Sequence, residues 1–278
     1  MIPKKIHYCW FGGGEMSEKE LRCIESWKKL CPDYEIIRWD ESNYDVTKCD
    51  YTKEAYEAKK WAFVSDYARL DIIYNNGGIY LDTDVEIIKS FDSLLDEKCF
   101  LGTEPSSYLI ATGLGFGAEK GNENIKAMLD DYNGAHYRLG KDIYDPINCP
   151  TRNSRPFYKY GFSTQMREVS SFNGATVYTT EYFAPYDPET ATLNITDNTY
   201  SIHNYNASWI EQEKKDIEYK INDYSKSHSR LITKIYKNKL ECEYKYSSTN
   251  AFNMLRLILF KLRKKLVIYI HNIRENNN

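Results

Sequence analysis

The chain has 278 residues, 42% of them hydrophobic and 28% charged, an ordinary balance for one large soluble domain with additions. A formal charge of -3 gives no general reason to bind nucleic acid, and none is expected as a partner. The seven cysteines show neither Cys-x-x-Cys pairs nor zinc spacing, so they read as free thiols of a reducing, cytoplasmic compartment.

In chain order, Met1 to Trp10 holds too short an apolar run for a signal peptide. Lys4 to Trp10 reads as a first strand, followed by a Phe11-Gly12-Gly13-Gly14 turn that lacks the spacing of nucleotide-binding loops. Ser17 and Glu20 form a capping box for a helix from Met16 to Leu30, which ends before Pro32. Tyr34 to Trp39 alternates as a second strand, and Tyr51 to Lys60 reads as a helix. Strand and helix alternate through the first hundred residues, the pattern of an α/β fold with a mostly parallel sheet.

The stretch from Phe63 to Ile88 organises the chain. Ser65 is placed to cap a helix over Asp66 to Tyr74, and Asn75-Asn76-Gly77-Gly78 supplies the left-handed residues on which helices end. Ile79-Tyr80-Leu81 then reads as a short buried strand. Its abrupt stop at Asp82-Thr83-Asp84 delivers two carboxylates to the carboxyl edge of a sheet, where open α/β sheets bind ligands. Like charges this close persist beside a cation, a basic partner or free water. A divalent metal is the sharpest reading and a solvated turn the plain one. Asp66 and Arg69, at i and i+3, point the same way, either toward a ligand or into a local ion pair.

Val85 to Ile88 continues as a strand, Phe91 to Leu95 as a short helix and Cys99 to Gly102 as a strand. Tyr108 to Gly117 reads as a glycine-interrupted extended segment before a helix opened by Asn122. Between Asp142 and Phe162, the pairs Asp145-Pro, Cys149-Pro and Arg155-Pro disfavour helix and predict an irregular wall over the sheet edge. Thr176 to Tyr178 and Thr199 to His203 are strand candidates. A histidine ending the second either fills a structural place or meets Asp82 and Asp84. In the latter case the mixed nitrogen and carboxylate set favours Mn²⁺, with Mg²⁺ the alternative.

Four ordered motifs, Ile6-His-Tyr-Cys-Trp10-Phe-Gly-Gly, Ser65-Asp66-x-x-Arg69, Gly77-Gly78-Ile-Tyr80-Leu-Asp82-x-Asp84 and His203-x-x-x-x-Ser208-Trp209, resemble the glycosyltransferases with a DXD sugar-binding region, family 32. That group includes bacterial capsule and lipopolysaccharide enzymes and yeast mannosyltransferases, with clostridial glucosylating toxins as distant relatives. The resemblance implies a GT-A, Rossmann-like catalytic domain over residues 1–210, a nucleotide-sugar donor, a divalent cation and transfer with retention of configuration. Carried over to this chain, Trp10 would stack on the nucleotide base, Asp66 and Arg69 would hold sugar or ribose hydroxyls, and Tyr80 would line the donor pocket. Asp82 would contact hydroxyls and assist the metal, Asp84 and His203 would ligate it, and Ser208 and Trp209 would close over the diphosphate. Asp82, Asp84 and Arg69 would carry the catalysis. One departure stands out: Ala111-Thr112-Gly113 lies where an asparagine is expected on the acceptor side.

Residues 211–250 read as a charged helical extension and 251–278 as a basic amphipathic helix, with Phe252, Leu255, Leu259, Leu262, Leu266 and Tyr269 on one face. Such a helix suits an anionic bilayer surface, and a lipid-linked oligosaccharide acceptor would fit that location; packing on its own domain is the alternative. Two other functions stay open, a non-catalytic sugar-nucleotide or glycan-binding module and a metal-dependent phosphohydrolase.

Overall fold

The computed structural model describes residues 1–140, 143–187 and 192–205, with Ile221, Tyr224, Tyr236 and Lys237 beyond them. Ser208, Trp209, most of the charged extension and the amphipathic tail lie outside the described residues. The chain divides into two compact units, residues 1–145 with 149–207, and residues 146–148 with 208–278. In the second, the rings of Tyr224 and Tyr236 stack with centroids 4.1 Å apart.

In the first unit the order is β1 (Lys5–Cys9), α1 (Glu18–Leu30), β2 (Glu35–Trp39), α2 (Asp50–Glu57), α3 (Trp61–Asn76), β3 (Gly78–Tyr80), β4 (Val85–Ile87), β5 (Cys99–Gly102) and β6 (Phe116–Ala118). Then follow α4 (Glu123–Asp130), β7 (Arg138–Gly140), β8 (Ile143–Tyr144), α5 (Cys149–Tyr158), β9 (Ser170–Phe172), β10 (Ala175–Tyr178), α6 (Thr180–Phe183), β11 (Tyr186–Asp187), β12 (Thr192–Leu193) and β13 (Ser201–His203). A seven-stranded sheet runs β2-β1-β3-β6-β5-β10-β9. Strands β2, β1, β3, β5 and β10 share one direction, and β6 and β9 oppose it. The fold is therefore α/β with a mostly parallel central sheet, as the alternation of elements predicts.

The sheet buries side chains on both faces because its strands alternate with period two. Tyr80, Leu101 and Phe116 join a core with Val64, Ala68, Ile72 and Ile125. Ile79, Leu81 and Phe100 point the other way, into a core with Ile24, Trp27, Phe91 and Phe183. Trp27 also ties α1 to β4, its indole N–H donating to the Val85 carbonyl at 2.7 Å. His7 lies inside the sheet with no exposed surface. It accepts from the Trp39 indole at 3.0 Å through Nδ1 and meets the Gly77 carbonyl at 3.0 Å through Nε2. Burial lowers its pKa to about 4, so it stays neutral.

Two expectations are corrected. Helix α3 begins four residues before Ser65, and Ser65 is not its cap: the cap position is Lys60, whose side chain makes no capping bond to the first turn. The Ser65 hydroxyl donates back to the Trp61 carbonyl at 3.1 Å inside the helix, while partly buried Trp61 and Phe63 extend its apolar face. The helix does end at Gly77, with Gly77 at φ 66 and Gly78 at φ 107. A Cβ on Gly78 would stand 2.9 Å from the Lys5 carbonyl, so glycine permits both the left-handed turn and the close approach of β3 to β1.

The second correction concerns the proline-rich segment, which contains helix α5, Cys149–Tyr158. Pro150 sits in its first turn, where a missing N–H costs nothing. Pro156 removes an interior bond, but Arg152, Asn153, Ser154 and Phe157 are buried in this helix, and packing overrides the local preference. Among the described residues, no helix is long and apolar enough to cross a membrane.

Candidate active site

Beyond β3 the chain keeps the sheet's spacing for one more residue, Leu81 donating to the His7 carbonyl at 3.0 Å, and then turns. Asp82 donates its N–H to the Gly113 carbonyl at 3.3 Å, and the Val85 N–H returns to the Asp82 carbonyl at 3.0 Å. This tight turn sets Asp82 and Asp84 side by side. Strand β4 then pairs with β13 in antiparallel register, His203 opposite Val85. That pairing carries an imidazole from far downstream to the turn: His203 Nε2 lies 3.3 Å from Asp84 Oδ1. One ligand atom from each of Asp82, Asp84 and His203 falls within 4.8 Å of the others. Two carboxylate oxygens and one imidazole nitrogen, all partly buried, are a donor set that fits a divalent cation and lacks the soft ligands of a structural zinc site. The Tyr205 N–H approaches His203 Nδ1 at 3.3 Å; for Nε2 to hold a cation, Nδ1 would carry the ring proton and this contact would give way.

Beside this cluster sits Arg69, 5% exposed. Its Nη2 contacts Asp66 Oδ1 at 3.0 Å and Asp82 Oδ1 at 3.3 Å. Nε donates to the Ser65 carbonyl at 3.1 Å, and the guanidinium lies 5.2 Å above the Tyr80 ring. The Tyr80 hydroxyl donates to Asp82 Oδ1 at 3.0 Å. Helix α3 and strand β3 thus hold one carboxylate oxygen of Asp82 from two sides. The other oxygen faces Gly113, whose absent side chain leaves it room: a Cβ there would collide with Asp82 Oδ2 and stand 3.2 Å from Arg69 Nη1.

The electrostatics follow from burial. Desolvation raises Asp66 to about 6 despite the opposing Arg69 charge. It raises Asp82 as well, again against Arg69 and reinforced by Asp84. Burial works against the Arg69 cation too, but Asp82, Tyr80 and Asp66 hold its pKa well above the ordinary value. Two carboxylates that gain a proton easily, facing a cation that never loses one, suit hydroxyl recognition.

Trp10 lies at the end of β1, partly buried against the core that contains Tyr8 and Trp27. Its indole N–H donates to the Gly14 carbonyl at 2.7 Å. Sequence reasoning missed a layer behind Asp66 and Arg69. Asn153 donates to Thr112 Oγ1 at 2.9 Å and to Cys149 Sγ at 3.1 Å. The Cys149 sulfur lies 4.0 Å from Arg69 Nη1, and burial followed by the Asp66 charge pushes its thiol up to about 12. The proline pairs pointed away from the helix that brings Cys149 and Asn153 here. The wall expected over Asp142 to Phe162 is present, as helix α5 rather than irregular chain, and it bonds to Thr112.

Residues 17–101 match the family described as the glycosyltransferase sugar-binding region containing a DXD motif. Asp66, Arg69, Tyr80, Asp82 and Asp84 fall inside the matched stretch; Trp10 and His203 fall outside it.

Among characterised proteins, inositol phosphoceramide mannosyltransferase 3 of Schizosaccharomyces pombe is 33% identical over 119 residues, covering 41% of this chain and 33% of that protein. Subversion of eukaryotic traffic protein A of Legionella pneumophila is 30% identical over 111 residues, 30% of this chain and 17% of that one. Inositol phosphoceramide mannosyltransferase 1 of the same yeast is 28% identical over 120 residues, 38% of this chain and 36% of that protein. The chain thus spans between 17% and 36% of these relatives' lengths. Among solved structures, the PaToxG glycosyltransferase aligns with a TM-score of 0.45 at 24% identity, over 57% of this chain and 69% of that one. The galactosyltransferase LgtC, in complex with donor and acceptor sugar analogues, aligns with a TM-score of 0.41 at 11% identity, over 73% and 88%.

Proposed function

We propose that the chain is a metal-dependent, retaining GT-A glycosyltransferase that moves a hexose from a nucleotide sugar, a UDP-sugar, to a glycan acceptor in cell-surface polysaccharide assembly. The observation that carries the reading is the meeting of Asp82, Asp84 and His203 beside the buried guanidinium of Arg69. The matched sugar-binding region supports it. When bound, a divalent cation supplies Lewis-acid stabilisation of the charge that develops on the departing diphosphate. Asp84 and His203 hold it, with Asp82 assisting. Asp66, Arg69 and Asp82 orient sugar or ribose hydroxyls, and Tyr80 fixes the Asp82 carboxylate. Trp10 stacks on the base, while Ser208 and Trp209 close over the diphosphate. The departing phosphate takes the acceptor proton as the new glycosidic bond forms, so no side chain is assigned as base.

The catalytic domain is residues 1–210. The mannosyltransferase relatives, named for inositol phosphoceramide, support a lipid-linked acceptor. The extension over 211–250 leads to a tail over 251–278 that holds the enzyme at an anionic membrane surface, the inner face of the cell membrane. The deciding experiment incubates the chain with UDP- and GDP-sugars and Mn²⁺. Slow release of nucleoside diphosphate and free sugar, lost with chelator and in Asp84→Ala, is the expected result. Release of inorganic phosphate from simple esters would mark a phosphohydrolase, and donor binding without turnover a binding module.

A further inference from the structure

The two strands that meet at the metal cluster are joined more firmly than their ladder alone requires. The register of β4 and β13 ends at the pair Val85 and His203, and one further backbone bond continues the ladder to Asp84. A side chain then doubles it. The next residue, Asn204, donates twice to a single acceptor: its backbone N–H reaches the Asp84 carbonyl at 3.0 Å and its side-chain Nδ2 reaches the same oxygen at 3.1 Å. A carbonyl oxygen has two lone pairs, and one residue occupies both. The backbone of one ligand, Asp84, is thereby clamped to the residue that follows another, His203.

The chain then doubles back. Tyr205 adopts φ 47, a left-handed conformation uncommon for a residue with a side chain and costly unless its surroundings hold it. In this conformation its N–H faces His203 Nδ1 at 3.3 Å and its ring meets the imidazole edge to face, with centroids 4.2 Å apart. The imidazole is braced on one face by the Tyr205 ring, while the opposing Asp84 is held through its own backbone carbonyl.

Resting on the metal reading above, we infer that Asn204 is a positioning residue of the metal centre, setting the His203 to Asp84 spacing through its paired bonds to the Asp84 carbonyl. It touches no reacting atom. The backbone bond survives any substitution but proline at this position, so removing the amide loosens the clasp without deleting the strand pair.

The test measures binding of Mn²⁺ alone to the full chain, by the paramagnetic signal of the free ion, in wild type, Asn204→Ala, Asn204→Asp and Asp84→Ala. Losing a hydrogen bond that orients a ligand ordinarily weakens metal affinity by about 10- to 100-fold, and a loss of at least about tenfold is expected in Asn204→Ala. The expected thermal midpoint in chelator stays close to wild type. Asn204→Asp keeps the shape but turns an acceptor toward the Asp84 carbonyl, so it is expected to weaken binding too, and it serves if the alanine variant does not fold. Unchanged Mn²⁺ affinity in both variants, with or without a lowered midpoint, would overturn the positioning role while leaving the metal centre standing. Wild type binding Mn²⁺ no better than Asp84→Ala would overturn the metal centre and the clasp with it.

Discussion

Two arginines are buried in the first unit, and they are chemically near twins. Arg69 is 5% and Arg152 4% exposed. Each meets two aspartates, Asp66 and Asp82 for Arg69, Asp131 and Asp145 for Arg152. Each lies over tyrosine, Arg69 over Tyr80 at 5.2 Å, Arg152 over Tyr132 at 4.8 Å and Tyr51 at 5.3 Å. The difference lies in what the carboxylates face. The side chains of Asp131 and Asp145 are 16% and 4% exposed, and Asp131 is shared with a second cation, Arg155. The Asp82 side chain is 28% exposed and stands beside Asp84 and His203. One cluster neutralises itself and joins α4 to α5; the other keeps a carboxylate open to a ligand. Identity of partners does not make a site; the candidate site is marked by an accessible carboxylate beside Asp84 and His203.

This contrast is open to direct attack. The largest effect is expected at the open cluster: Asp84→Ala lowers donor turnover by at least about 10³-fold, roughly 4 kcal/mol of transition-state stabilisation, with little change in the urea midpoint. Turnover kept within tenfold of wild type would remove Asp84 from the chemistry. At the closed cluster the loss falls on folding instead. Arg152→Ala takes the buried cation from Asp145 and leaves Asp131 with Arg155 alone, and is expected to cost about 3–5 kcal/mol in urea unfolding, while turnover per folded molecule is retained. Arg69→Lys should show the reverse, a turnover loss of about 10²-fold from losing the planar fork that reaches Asp66, Asp82 and the Ser65 carbonyl together. If both arginine variants lost stability and kept activity, the distinction would be void.

A pH signature sharpens the comparison further. The folded-state pKa of Asp66 is raised to about 6 from 3.8, by burial first. The folded chain therefore holds a proton that the unfolded chain has released. This group's stabilising contribution is full below about 3.8 and is lost as pH rises through about 6, an upper bound of about 3 kcal/mol. Asp66→Asn should remove that slope, seen as a wild-type-minus-variant difference in urea midpoints that changes between pH 4 and pH 7; a constant difference would contradict it. The smallest effect concerns Tyr80→Phe, which frees Asp82 from one hydrogen bond. It should cost about 1 kcal/mol, a five- to tenfold fall in turnover, and less still in stability.

Much of the framework was legible from local rules. The capping box was readable because its bonds close within four residues, and the Ser17 N–H does donate to Glu20 Oε2 at 2.8 Å. The end of α3 at Gly77-Gly78 was readable because φ near 66 and 107 is glycine's territory. The strand that stops at Asp82-x-Asp84 was legible for the same reason: a buried run, then two charges that cannot continue it. The start of α3 was misplaced because Ser65 offered a cap on the wrong side of Trp61 and Phe63. Helix α5 was missed because the proline pairs in and just before it speak only of local cost, whereas burial of Asn153, Ser154 and Phe157 is decided by the rest of the fold.

The sequence by itself determined the alternation of strand and helix, the helix stops and the presence of two adjacent carboxylates, because these depend on neighbours a few bonds away. The sequence singled out His203 and left open whether it meets them; the tertiary structure decided that it does. His7 and His203 both lie on strands, yet one is sealed between Trp39 and Gly77 and the other stands at Asp84. That choice depends on β13 pairing with β4 across more than a hundred residues, and the geometry of a distant pairing is written in the packing of the whole domain rather than in any segment of it.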